Sequence, residues 1–247
     1  TTTHDASVSY SSVPEIDEIR ENDRILVIGA RGPMGQMHVI RNVCSGVAGI
    51  SVTGTDFDDD RLASIESKAR PLAEAAGVEL RLVNPQNTPM DGETFSYFAI
   101  MAPIPQLLAQ CIADADPGAI INVFAGIPAP VKHELDMDSY IEKGLFMFGT
   151  SGSVIEDMKI VLRKVEAGQL DTNSSVDAIS GMAGAEAGIR AVENRTLAGK
   201  IIVYPQLHEL GLTPLVDLAD QFPSVAAKLA DGMWTKEAEA ELLAVAK

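Results

Sequence analysis

The sequence predicts an α/β domain: a doubly wound six-stranded parallel sheet followed by a helical carboxyl-terminal appendage. Three observations predict it. Short β-rich runs alternate with longer amphipathic ones at the spacing of βαβ units. The runs are almost wholly apolar, as strands covered by helices on both faces must be. The first run ends in a glycine-rich turn that leads straight into a helical pattern.

In chain order the predicted strands are RILVIG (24–29), ISVTGTD (50–56), VELRLV (78–83), FSYFAIMA (95–102), AIINVFAG (119–126) and LFMFGT (145–150). The amphipathic segments 33–45, 58–76, 104–114 and 136–143 fill the gaps and supply the crossover helices that parallel strands require. Beyond the sixth strand, Ser153 with Glu156 three residues later reads as a capping box, opening a helix that ends near Gly168. Residues 183–194 read as a helix and GKIIVYPQL (199–207) as a further strand. The tail from Leu212 to Lys247, broken by Pro214, Pro223 and Gly232, reads as helical. The expected organisation is a lead-in segment (1–22), a nucleotide-binding domain (23–205) and a helical extension (206–247).

Composition narrows the partners. The net charge of −16 argues against nucleic acid and anionic membrane, both of which need a basic surface. No apolar run approaches the ~20 residues of a membrane helix. The amino terminus shows no basic start followed by an apolar core, so a cytoplasmic location is expected. The first residue is threonine, so the chain is taken as a processed or truncated piece. Two cysteines, Cys44 and Cys111, sit in apolar segments without CxxC spacing, which favours free thiols over a disulfide or zinc site.

The turn after the first strand carries Gly29, Gly32 and Gly35, a GxxGxxG spacing one residue longer in its first half than the common dinucleotide turn. Such a turn lets a helix amino terminus and its amides approach a diphosphate closely. Asp56, at the end of the second strand, follows Gly35 by 21 positions. That offset places a carboxylate at the adenosine ribose hydroxyls, and it favours NAD over NADP by repelling a 2′-phosphate. Asp56 also suits a simple turn, with Asp58 capping the next helix, and Arg61 suits either the ribose or a pair with Asp58. The loops MAPIP (101–105), FAGIP (124–128) and GTSGS (149–153) would line the same carboxyl edge of the sheet.

In combination, VIGARGPMG, TDFDDDRL, PGAIINVFAGIP, GTSGSVIEDMKIVLRKVEAGQLD and GKIIVYP resemble the carboxyl-terminal half of zinc-type medium-chain alcohol and polyol dehydrogenases, over about residues 20–205. The tail LTPLVDLADQFPSVAAKLADGMWTKEAEAELL looks like the branch containing sorbose-1-phosphate reductases. The resemblance implies a Rossmann domain that binds NAD, pairs as a homodimer through the edge of its sixth strand, and works with a catalytic zinc held on a separate amino-terminal domain. By the same resemblance Gly32, Pro33, Met34 and Gly35 line the diphosphate, with Gly29 and Ala30 leading into the turn. Asp56 and Arg61 hold the adenosine ribose, and Ala102, Pro103, Ala125, Gly126 and Thr150 border the adenine and nicotinamide ends. The extra residue in the turn brings Arg31 near the phosphates.

No catalytic residue or metal ligand is legible within the chain. His4, His38, His133 and His208 lack metal-ligand spacing, and His38 reads as a packing residue of the first helix. A short-chain reductase needs a Tyr-x-x-x-Lys pair, but Pro14, Met101, Gly144 and His208 stand four residues after the four tyrosines. Two readings remain. One is the NAD-binding part of an alcohol, polyol or sugar-phosphate dehydrogenase whose catalytic domain lies elsewhere. The other is a sensor or scaffold that binds NAD without turnover.

Overall fold

The computed structural model of the chain describes residues 19–149, 155–194 and 196–246. Two compact units divide at Leu170 and Asp171. The first contains β1 (Arg24–Ile28), α1 (Pro33–Val43), β2 (Ser51–Thr55), α2 (Asp59–Ala76), β3 (Glu79–Val83), β4 (Phe95–Ile100), α3 (Pro105–Ala113), β5 (Ala115–Val123), α4 (Met137–Glu142), β6 (Phe146–Gly149) and α5 (Ile155–Glu166). Its strands form one parallel sheet in the order β3-β2-β1-β4-β5-β6, as the alternating pattern predicts. The capping box proposed at Ser153 lies outside the described residues.

The sheet is apolar through and through because each strand feeds two cores. Ile25, Val27, Tyr97, Ala99 and Ile120 face α1 and α2, whose Val39, Ile40, Val43, Ile65 and Ala69 pack with them. The intervening Leu26, Phe98, Ile100 and Ile121 join Leu108, Cys111 and Ile112 of α3 in the second core. Each such fully buried side chain contributes about 1.5–3 kcal/mol of hydrophobic transfer, which opposes the entropy of ordering the chain. Local signals set the helix ends. Pro33 opens α1 with its φ already helical, and the Asp58 carboxylate accepts the Arg61 amide at 3.1 Å to cap α2. Gly77 closes α2 in the left-handed region at φ +66°.

The second unit holds β7 (Val176–Ser180), α6 (Ala185–Glu193), β8 (Lys200–Val203), β9 (Thr213–Pro214), α7 (Leu218–Gln221), α8 (Pro223–Ala226) and α9 (Lys236–Val245). Its sheet runs β8-β7-β9, with β8 parallel and β9 antiparallel to β7. Ile179, Leu218, Val225, Trp234 and Leu242 form its core. The tail is helical, and it also supplies the two-residue β9. Strand β7 is absent from the sequence reading, because VDAIS is five residues long with polar residues at two positions. The division falls at Leu170 and Asp171, and β8 pairs with β7 of this second sheet. Among the described residues no helix is long and apolar enough to cross a membrane.

Candidate functional site

In the first unit the chain runs from β1 outward to β2 and β3, then returns to β4 on the other side of β1. Crossovers on the two sides lie on opposite faces, so a crevice opens beyond the carboxyl ends of β1 and β4. The loops there are tied together by main-chain bonds. The Gly29 and Ala30 amides both donate to the Thr55 carbonyl, at 2.9 and 3.0 Å. Met101 donates to Ile28 at 2.8 Å, and Ala125 donates to Ile100 at 2.9 Å. Gly29, Ala30, Asp56, Ala102 and Ala125 are thereby gathered at one end of the sheet, with Pro103 and Gly126 exposed on the same loops. Thr150 lies outside the described residues.

The glycines of the turn have distinct reasons to be glycine. Gly29 sits at φ +85°, where a side chain is strained, and a Cβ there would press on the Ala102 amide at 3.3 Å. A Cβ on Gly35 would fall 2.2 Å from the Gly29 carbonyl oxygen, so the first turn of α1 lies directly against the loop. Gly32 is the opposite case: nothing lies within 4 Å of a Cβ placed there. Gly32 is the N-cap of α1, no side chain caps that amino terminus, and its first turn holds no acid. The turn therefore presents open space beside an uncompensated positive helix end, the arrangement that suits a diphosphate. Pro33 takes the first helical position and Met34 is exposed beside it.

Asp56 carries the other half of the site. Its side chain is 6% exposed. The carboxylate accepts the Phe57 amide at 2.8 Å and the Arg31 amide at 3.2 Å. The Arg31 guanidinium lies 3.4 Å from the same carboxylate and 3.8 Å from Asp58, while Arg61 pairs with Asp58 at 3.4 Å. Arg61 thus meets Asp58, one of the two partners that the sequence left open. Two residues without a sequence signal stiffen the surroundings. Gln36 is fully buried and its amide nitrogen donates to the Arg31 carbonyl at 3.4 Å. Asn84, at the end of β3, donates to the Phe57 carbonyl at 3.3 Å and to Asp59 at 2.9 Å. Neither Gln nor Asn at such positions stands out in a single sequence, since both are common in turns and on helix surfaces.

His38 stacks edge-on against Phe124, with ring centroids 5.4 Å apart. Burial, aided by the nearby Arg41 charge, lowers its pKa to about 4, so the ring is neutral at pH 7. A second groove, of about 280 Å³, lies at the opposite edge of the sheet, against the first residues of β1 to β4. Its cations are paired, Arg24 with Asp116 at 2.7 Å and Arg81 with Glu93 at 2.8 Å. Among the described residues no group of three or more His, Cys, Asp or Glu side chains is placed to hold a metal ion.

No protein-family model matches the chain. Its solved neighbours include alcohol and polyol dehydrogenases, a zinc-bound one among them. An Escherichia coli alcohol dehydrogenase solved with NADH superposes with a TM-score of 0.61 at 19% identity, over 76% of this chain and 53% of that one. That similarity establishes the Rossmann-type fold. Among curated proteins, the L-sorbose 1-phosphate reductase of Klebsiella pneumoniae is 26% identical over 93% of this chain and 57% of its own length. The uncharacterized protein YggP of Escherichia coli K12 is 25% identical over 92% of this chain and 57% of its own. The chain spans little more than half the length of the curated relatives it matches.

Proposed function

We propose that the chain is the NAD-binding part of a zinc-type medium-chain dehydrogenase or reductase acting on an alcohol, polyol or sugar phosphate. One observation carries the reading: the open glycine turn at the end of β1 and the Asp56 carboxylate at the end of β2 are joined by the Arg31 amide at the switch point of the sheet. In this reading the amides opening α1 hold the diphosphate, with Gly32 giving the room and Gly29 and Gly35 allowing the close packing. Asp56 orients the adenosine ribose, and Ala102, Pro103, Ala125 and Gly126 border the base and nicotinamide. The bound coenzyme supplies hydride transfer. The catalytic zinc and its ligands belong to a part of the enzyme outside this chain, which the partial span of the relatives supports. Free thiols at Cys44 and Cys111 support a cytoplasmic setting.

Isothermal titration of NAD into the chain tests the reading. Asp56→Asn keeps the shape of the side chain and removes its charge, and it is expected to weaken NAD by about tenfold or more. Unchanged affinity would remove Asp56 from the site, and no binding to the unaltered chain would end the nucleotide reading.

A further inference from the structure

We propose that Arg31 is a specificity-determining residue that makes the ribose end of the site accept NADP as well as NAD. The inference rests on the nucleotide reading above and goes beyond it. A carboxylate that recognises a ribose diol needs oxygen lone pairs turned to the ligand. Asp56 has two of its acceptor positions filled by the Phe57 and Arg31 amides, and the Arg31 guanidinium covers the same carboxylate at 3.4 Å. The carboxylate is 6% exposed and the guanidinium side chain 35%, so Arg31 is the solvent-side partner. A nucleotide with a free diol therefore has to displace the guanidinium before Asp56 can bind it.

The same arrangement changes what a 2′-phosphate meets. An isolated Asp56 would repel it. Here Arg31 and Arg61 stand against Asp56 and Asp58, so the four groups sum to zero charge. Asp59 and Asp60 keep their charge outside that set, with the Asp59 oxygens held by the Asn84 and Asn87 amides at 2.9 and 3.0 Å. Arg31 meets the carboxylates only at 3.4 and 3.8 Å, and it can turn from them to a phosphate and form a bidentate contact there. Arg31 occupies the extra position of the glycine turn, and Gln36 bonds its carbonyl, so the residue is anchored at its backbone while its head lies toward solvent.

The test is titration of NAD and of NADP into the unaltered chain, Arg31→Ala and Arg31→Lys. The unaltered chain is expected to bind the two nucleotides within about tenfold of each other. Arg31→Ala is expected to weaken NADP by about tenfold or more and to leave NAD equal or tighter, while Arg31→Lys restores part of the NADP affinity. Rejection of NADP by more than about a hundredfold in the unaltered chain overturns the proposal without any variant. So does an equal change for both nucleotides in Arg31→Ala. Binding of NAD with either of those results leaves the nucleotide reading standing and removes only the role of Arg31. Binding of neither nucleotide to the unaltered chain overturns both.

Discussion

His38 lies on α1, close to the proposed coenzyme, where its ring packs on Phe124, as the sequence reading expects, and burial lowers its pKa to about 4. In the unfolded chain the imidazole titrates near 6.5. Between those values the unfolded chain binds a proton that the folded chain does not, so stability falls as pH drops from about 6.5 toward about 4. At pH 5.5 the loss is expected to be about 1 kcal/mol, reduced because the ring is partly exposed. Urea melts at pH 7.5 and 5.5 check it, since His38→Gln removes that part of the slope. An identical slope in the variant would assign the acid sensitivity to other groups.

At the scale of elements, α2 shows which signals survive translation from sequence to structure. Asp58 is an N-cap by type and position, and its carboxylate does accept the Arg61 amide. Asp58→Ala is expected to cost about 1 kcal/mol in urea melts, and Asp58→Asn much less, because asparagine caps nearly as well. Equal costs for the two would show that the ion pairs with Arg31 and Arg61 dominate, although pairs this exposed are worth little as a rule. Elements with long apolar runs, proline starts and glycine stops were legible to within a few residues. Strand β7 was not, because its pairing with β8 and β9 supplies the order that five mixed residues do not encode. Asn84 was illegible for a related reason, since its partners, the Phe57 carbonyl and the Asp59 carboxylate, are distant in the chain, whereas Gln36 bonds the nearby Arg31 carbonyl but its burial is not written in its residue type.

For the whole molecule, the strand order leaves β6 at one edge of the six-stranded sheet among the described residues. Natural sheets protect or use such edges. We expect two copies to pair through β6 as a homodimer, and sedimentation velocity at tens of micromolar is the check. A single monomeric species at that concentration would count against the pairing. The second unit, with its own core around Trp234 and its own sheet, marks the part of the chain that composition alone did not separate from the first.

The sequence by itself determined the class of the fold, the six parallel strands of the first sheet, the glycine turn and the acid that follows it. These are periodic or punctuating signals, written in residues near one another in the chain. Tertiary structure decided which side chains meet at the carboxyl edge: that Arg31 covers Asp56, and that His38 packs against Phe124. Those contacts join residues brought together only when the strands align, and their charges and desolvation depend on distances that no spacing along one chain can specify.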